Sequence, residues 1–156
     1  MRNYSVDCDA SELRFGIVVS RFNHMVSARL LEGCTAELGR RGCSPSDVHV
    51  AWVAGAFEIP QAARTLANTG RYDALVALGA VMRGGTPHFD YVCRAVTDGV
   101  REAIRDTGVP IAFGVLTTDD ADQALAGARD VLAERVAEDP ANRASLRLRL
   151  LAEGEL

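Results

Sequence analysis

Four short apolar runs constrain the fold of this chain more than any other feature. They are rich in Val, Ile and Ala, and apolar residues do not alternate with polar ones along them. Such continuity is typical of strands buried on both faces, which occur almost only in parallel sheets. The runs lie at about residues 14–20, 48–53, 74–81 and 110–116.

Longer segments with the period of amphipathic helices separate the apolar runs. Gly42, Gly70 and Gly108 lie just past three of these segments, where a left-handed C-terminal cap is expected. Because strand and helix alternate four times, the sequence predicts an α/β fold. The leading topology is a flavodoxin-like three-layer sandwich, with a four-stranded parallel sheet and helices on both faces. The helical segments span about residues 24–41, 58–69, 87–107 and 120–138.

The two ends of the chain lie outside this alternation. Residues 1–8 are a candidate fifth element, paired with a neighbouring subunit, and a final helix is expected from Pro140. Neither an internal repeat nor a linker interrupts the 156 residues, which is a usual length for one domain. Residues 1–156 are therefore expected to form a single domain.

Composition excludes several classes of function. With 48% hydrophobic residues and a net charge of −4, the chain is expected to be soluble and globular, and this charge argues against a general nucleic-acid binder. All 17 basic residues are arginine, which excludes chemistry through a lysine Schiff base. The sequence has no apolar stretch of signal-peptide or membrane-spanning length, so a cytoplasmic protein without membrane partners is expected.

The four cysteines do not form a recognisable pattern. Cys8, Cys34, Cys43 and Cys93 show neither C-x-x-C pairing nor the spacing of zinc ligands. In a reducing compartment they are expected to be free thiols. The sequence thus predicts no structural disulfide, no metal and no cofactor.

The loops that leave the predicted strands are where function is expected, because ligands of open parallel sheets bind beyond the carboxyl ends of the strands. In the first loop, Phe22 either plugs the sheet edge or stacks on a flat ligand, and Phe57 in the second loop poses the same choice. Glu58 lies two residues before Pro60, which suits a helix start. Its carboxylate either complements the helix dipole or accepts hydrogen bonds from ligand hydroxyls.

The third loop, "RGGTPH", combines a flexible backbone with a helix start. Gly84 and Gly85 allow close approach to a ligand, and free N–H groups at the start of the next helix favour an anion such as phosphate. Simple capping by Thr86, with Pro87 at the first position of the helix, explains the same residues. His88 falls in the first turn, where the helix dipole disfavours a protonated imidazole and leaves a neutral ring that can accept a proton.

Four motifs, "RFN", "GAFEIP", "LGAVMRGGTPHFDYV" and "FGVLTTD", occur in the order and at the spacing of a known family. Over about residues 14–125 the chain resembles 6,7-dimethyl-8-ribityllumazine synthase, the penultimate enzyme of riboflavin biosynthesis. The resemblance implies a transferase that condenses 5-amino-6-(D-ribitylamino)uracil with 3,4-dihydroxy-2-butanone 4-phosphate, without a metal or redox cofactor. It also implies a flavodoxin-like subunit assembled into homopentamers or sixty-subunit shells, with active sites between adjacent subunits.

The resemblance further implies roles for individual residues. Phe22 would stack on the pyrimidine, Glu58 would accept hydrogen bonds from the ribityl hydroxyls, and His88 would transfer protons. Gly85 and Thr86 would receive the substrate phosphate. Ala56 and Phe57 would hold the ribityl chain together with Glu58. The remaining lining would come from backbone groups of Ala80, Val81 and Met82 and from the region of Phe113.

The chain departs from the family after the fourth loop. The family's pattern there, of the form "EQAxERAGTKAGNKG", directs an arginine to the substrate phosphate and adds lysines. Here "DQALAGARDVLAERVAED" places Gly127 at the arginine position, and its pattern predicts a continuous helix in place of the glycine-rich turn. Arg129 and Arg135 are the candidates to replace the missing contact.

Three functions are compatible with these observations. The first is a lumazine synthase whose phosphate-binding arginine has moved. The second is an enzyme of the same fold that binds a ribitylaminopyrimidine or lumazine but uses a different carbonyl partner or reaction. The third is a non-catalytic flavin-binding, lumazine-binding or shell-forming protein, which would not need Phe22, Glu58 and His88 together.

Overall fold

The computed structural model of the protein describes residues 9–128, and within them strands and helices alternate as the sequence predicts. Residues 121–128 are helical, whereas the rest of the fourth predicted helix, the final helix and residues 1–8 lie outside the described residues. The strands are β1 (Phe15–Ser20), β2 (Val48–Val53), β3 (Ala74–Met82) and β4 (Ile111–Thr118). The helices are α1 (His24–Arg40), α2 (Ile59–Ala67) and α3 (His88–Thr107).

The four strands form one parallel sheet in the order β2-β1-β3-β4. Phe15 in β1 is aligned with Val48 on one side and with Ala74 on the other. This order matches the first four strands of the flavodoxin-like arrangement, so the predicted fold class is confirmed. Because the order reverses between β1 and β3, the loops that leave these two strands turn to opposite faces of the sheet.

Two hydrophobic cores lie on the two faces of the sheet. Ile17 and Val19 pack with α1 and the helical segment 121–128, whereas Val18 and Leu75 pack with α2 and α3. Every residue of β1 is buried, and so is every residue of β3 except the last. Burial on both faces is the physical reason that these runs are continuously apolar.

The three glycines predicted as caps all adopt left-handed backbone conformations, with φ of 89° at Gly42, 66° at Gly70 and 68° at Gly108. Gly108 is the residue that ends α3, as expected. Gly42 directly follows Arg41, the C-cap residue of α1; its N–H donates to the Gly39 carbonyl and the Cys43 N–H to the Leu38 carbonyl, both at 3.0 Å, so Gly42 closes this helix as expected. At the third site the C-cap residue of α2 is Asn68, and Gly70 serves the turn that follows the helix.

Three cysteines of the described region are free thiols: Cys34, Cys43 and Cys93. Cys8 lies outside the described residues. Between residues 9 and 128, no three His, Cys, Asp or Glu side chains are grouped so that they could hold a metal ion. None of the helices in the same range combines the length and the apolarity that crossing a membrane requires.

Candidate functional site

A cleft of about 310 Å³ opens at the carboxyl ends of β1 and β3, where the strand order reverses. Ligands of open α/β sheets bind at this position. The wall is mostly apolar, and His88 is its only titratable side chain among the described residues. The cleft is lined by Phe22, Gly55, Ala56, Phe57, Ala80, Val81, Met82, Gly84, Thr86, His88, Phe89 and Val92.

The loop after β1 holds Phe22 at the mouth of the cleft. The backbone N–H of Phe22 donates to the Ala54 carbonyl at 3.0 Å, which extends the pairing of β1 with β2. Asn23 adopts a left-handed conformation with φ of 60°, and its side-chain N–H donates to the Ala80 carbonyl at 2.8 Å. The Phe22 ring is 70% exposed, so the interpretation of this ring as a plug for the sheet edge is wrong. It offers a free aromatic face on which a flat ligand can stack.

The loop after β2 places Phe57 and Glu58 in different surroundings. Phe57 is 62% exposed and lines the cleft. Glu58 does not line it; one of its carboxylate oxygens accepts from the Gly55 N–H at 2.8 Å and so closes a one-turn helix. Glu58 faces an adjoining open groove of about 510 Å³ between α2 and α3, which Phe57 also borders. The carboxylate therefore stabilises its own loop, and its contact with ligand hydroxyls stays a prediction.

The loop after β3 presents an open backbone. Gly84 and Thr86 line the cleft, whereas Gly85 does not. A Cβ atom added at Gly84 or Gly85 would meet no other atom within 4 Å, so this segment leaves space for a ligand. No side chain caps the first turn of α3, whose N-cap residue is Pro87. The expectation that Thr86 caps the helix and that Pro87 is its first residue is therefore wrong.

His88 is the first residue of α3 and lies exposed on the wall of the cleft. Phe89 and Val92 line the wall beside it. The first N–H groups of α3 lie in the same place, because the helix begins at His88. The Asp90 N–H already donates to the Pro87 carbonyl at 3.0 Å, so the N–H groups before it are the ones left for a ligand. An imidazole and backbone N–H donors thus meet at one end of the cleft.

The remaining predicted site residues are not brought to this cleft within residues 9–128. Phe113 lies in β4, 38% exposed, and does not line the cleft. A Cβ atom at Gly127 would lie 3.5 Å from Leu116, so a side chain there would point at the protein's own sheet. Arg129 and Arg135 lie outside the described residues.

Several lining residues were not predicted from the sequence. Val92 lies four residues after His88, so helical spacing alone could have placed both on one face of α3. Gly55 is a neighbour of predicted residues, and its position follows from the loop. Gly84 was expected near a ligand with Gly85, and it is Gly84 that lines the cleft. For Phe89 no signal was present, because a ring in the first turn is equally well suited to packing in the core.

A family model described as 6,7-dimethyl-8-ribityllumazine synthase matches residues 12–151 of the chain. The match includes all four strands, the three helices and every residue that lines the cleft. It also extends through the segment in which the sequence departs from the family's usual pattern.

Proposed function

We propose a specific reaction for this chain, which belongs to the 6,7-dimethyl-8-ribityllumazine synthase family and has a lumazine synthase-like function in riboflavin biosynthesis. The reaction is the condensation of 5-amino-6-(D-ribitylamino)uracil with 3,4-dihydroxy-2-butanone 4-phosphate to 6,7-dimethyl-8-ribityllumazine. The observation that carries the proposal is the position of His88, on the wall of a cleft that also holds the exposed Phe22 ring and the open loop after β3. In this proposal residues 1–156 act as one unit in the cytoplasm.

The two ends of the cleft suit the two substrates. Phe22 and Phe57 offer apolar ring faces to the pyrimidine. Gly84, Gly85 and Thr86, together with the N–H groups at the start of α3, offer donors to the phosphate. Holding the amine of one substrate against the carbonyl of the other in a fixed geometry supplies a large part of the rate acceleration.

His88 lies beside the phosphate subsite, at the start of α3, and in this proposal serves as the proton-transfer group. Imine formation releases one water, the phosphate is then eliminated, and after a tautomerisation the second amine attacks the remaining carbonyl and closes the ring with loss of a second water. Each step moves a proton between nitrogen, carbon and oxygen atoms, and a positioned imidazole can accept and return these protons.

The assembly is proposed to be a homo-oligomer, based on a pentamer, whose adjacent subunits complete each cleft. Phe57 and Phe113 are large apolar side chains that a single subunit leaves exposed, and contact with a neighbour would cover such surface. In this proposal Phe113 and the arginines after residue 128 reach the cleft of the next subunit.

A second candidate is an enzyme of the same fold that takes a different carbonyl partner. It is favoured by the absence of any cationic side chain from the lining of the cleft among residues 9–128. The neighbouring Arg83 is already paired with Asp119 at 2.9 Å. A charge-assisted contact to phosphate contributes about 1.5–3 kcal/mol, so its loss without replacement weakens phosphate binding roughly tenfold to more than a hundredfold.

Incubation of the purified protein with both substrates separates the two candidates. We expect the lumazine product, measured by its absorbance and mass, and release of inorganic phosphate. Intact binding of the pyrimidine without product, even at millimolar phosphate substrate, would contradict the proposed reaction and favour the second candidate.

The replacement for the missing arginine is tested by Arg129→Ala and Arg135→Ala. The variant that removes the phosphate contact should raise the KM for the phosphate substrate roughly tenfold or more. Its KM for the pyrimidine should stay close to that of the unmodified protein. An unchanged KM for the phosphate substrate in both variants would exclude both residues as ligands.

A further inference from the structure

Arg83 connects three segments at the edge of the cleft without lining the cleft itself. Its Nε donates to Asp119 at 2.9 Å, in the loop after β4. Its Nη1 lies 3.6 Å from the carboxylate of Asp90, in the first turn of α3. Its guanidinium carbon lies 4.2 Å from the centre of the Phe89 ring, which is a wall of the cleft. One side chain thus contacts both residues that follow His88 and a loop 36 positions away in the sequence.

The loop that receives Arg83 is itself held in place. The backbone N–H of Asp119 donates to the side chain of Gln123 at 3.0 Å, and the Gln123 N–H donates to the Asp120 carboxylate at 2.8 Å. The backbone N–H of Arg83 donates to the Thr118 carbonyl at 2.9 Å and continues the pairing of β3 with β4. Asp119 is therefore a fixed anchor for the guanidinium.

The loop between Arg83 and His88 has no comparable support of its own. No side chain caps α3, and Gly84 and Gly85 pack against nothing on their Cβ side. On its inner side the first turn of α3 is held by Phe89 and Val92, which pack against the hydrophobic core. On the side of the open loop its orientation depends on what holds Phe89 and Asp90. Among the contacts of the described residues, Arg83 is the side chain that connects both to the end of the sheet.

We infer that Arg83 is a positioning residue: clamped by Asp119, it fixes the first turn of α3, and through it the direction of the His88 ring and the shape of the anion-binding loop. The inference rests on the proposed function for its catalytic consequence only. Its structural part, the fixation of the helix start, holds for any ligand of the cleft.

The clamp, formed by the contacts of Arg83 with Asp119, Asp90 and Phe89, positions the start of α3 and adds little to the free energy of unfolding. Arg83, Asp90 and Asp119 are each about half exposed or more, with side-chain exposures of 48%, 65% and 69%, and exposed ion pairs contribute little to folding. The Asp119 hydrogen bond raises the pKa of Arg83, so the clamp stays charged throughout the pH range of an assay. By contrast, displacement of a catalytic group by about 1 Å can slow a reaction by about a hundredfold.

A double-mutant cycle of Arg83→Ala and Asp119→Ala tests the clamp. Each single substitution should lower kcat by on the order of tenfold while leaving the KM for the pyrimidine within about twofold. The double variant should be no slower than either single variant, because both remove the same connection. The inference would be overturned if the fold reduction of kcat in the double variant equalled the product of the two single reductions, or if kcat were unchanged in Arg83→Ala.

Two further variants separate the clamp from simpler roles. Arg83→Lys keeps the charge but replaces the planar guanidinium, so it should resemble Arg83→Ala. A different outcome would be that Arg83→Ala raises the KM for the phosphate substrate, Arg83→Lys returns this KM to the value of the unmodified protein, and Asp119→Ala leaves it unchanged. In that case Arg83 binds the phosphate directly and the positioning role is excluded. Arg101→Ala is the matched control: it removes an exposed arginine paired with Asp98 at 3.1 Å on the same helix, and kcat should not change.

Hydrogen exchange of the unliganded protein provides a measurement that does not depend on activity. In Arg83→Ala and Asp119→Ala, the first amides that are hydrogen-bonded within α3, those of residues 92–95, should exchange several-fold faster, whereas those in the last turn of α3 should not change. Exchange rates that change equally along the whole of α3, or do not change at all, would overturn the inference. If the protein forms no lumazine but this local change is present, the proposed reaction fails and the clamp stands.

Discussion

Replacement of His88 by alanine is expected to slow turnover far more than it weakens substrate binding. His88 is the only titratable side chain on the wall of the described cleft, and loss of a general acid or base lowers rates by about a hundredfold or more. Steady-state kinetics and pyrimidine binding to the same variant would measure the two effects separately.

His49→Ala is the matched control for this substitution. His49 is exposed on β2, where it packs edge-on against Tyr72 at 5.6 Å, and it does not line the cleft. Its replacement should leave turnover unchanged. Equal kcat values for the His88 variant and the unmodified protein would remove His88 from the mechanism.

The Cys34 thiol is expected to resist modification in the folded protein. Burial, with a smaller contribution from the Glu37 carboxylate, raises the pKa of this thiol to about 12. Because only the thiolate reacts, iodoacetamide at pH 8 should leave Cys34 unlabelled in the native protein and label it fully in denaturant. Peptide mass spectrometry would measure both, and rapid native labelling would contradict the buried position.

The same shift makes a prediction about alkaline stability. The folded-state pKa of Cys34 is above that of the unfolded chain, so the protonated thiol favours the folded state. This contribution is fully present below the ordinary pKa of a thiol, about 8.5, and is lost as the pH rises through the folded-state value of about 12. Between these pH values the free energy of unfolding, measured with urea, should fall as the pH rises. It should fall less in Cys34→Ala.

At the scale of elements, close packing of α2 on α3 depends on Gly99. A Cβ atom at this position would lie 2.7 Å from Pro60, so the helices cannot keep their distance if a methyl group is added. Gly99→Ala is expected to destabilise the fold by about 1–3 kcal/mol, as overpacking does. The midpoint of urea unfolding would measure this change.

Gly39→Ala is the corresponding control in α1. A Cβ atom at Gly39 meets nothing within 4 Å, and alanine in a helix is more favourable than glycine by about 0.5–1 kcal/mol. This variant should be slightly more stable than the unmodified protein. Stabilisation in both variants would mean that α2 and α3 are not tightly packed at Gly99.

The elements themselves follow from the sequence because burial and periodicity are local signals. The runs that became β1 and β3 are continuously apolar since both faces of these strands are covered. Contacts within the loops were harder to predict from the sequence. The bond from Gly55 to Glu58 and the absence of a cap at Thr86 depend on how each loop closes, and several closures suit the same residues.

At the scale of the molecule, sedimentation should show an assembly larger than one subunit. A single 16.7 kDa chain leaves Phe57, Tyr91 and Met25 exposed by 62%, 71% and 72%. Exposed apolar side chains of this size are typical of surfaces covered by a partner. Analytical ultracentrifugation would give the mass, and a 16.7 kDa species at every concentration would contradict the proposed homo-oligomer.

The location of the cleft could be predicted from the sequence, whereas the clamp beside it could not. Chain topology alone brings the ends of β1 and β3 together, so Phe22 and His88 were expected near each other. Arg83 and Asp119 meet because β3 and β4 pair in a register that aligns Met82 with Thr118. That register is a property of the assembled sheet, and nothing in either segment alone specifies it.

The divergence of the β1 and β3 loops to opposite faces also has a consequence for how such a protein can change over evolution. A cavity of 310 Å³ made by trimming core side chains would destabilise the fold by about 7 kcal/mol, at roughly 24 cal/mol per Å³. Here the space arises from the path of the chain, so both cores stay filled. Mutations in the loops can therefore alter the chemistry that the cleft accepts while the sheet beneath keeps its sequence, which is how one fold can acquire a new substrate without first losing its stability.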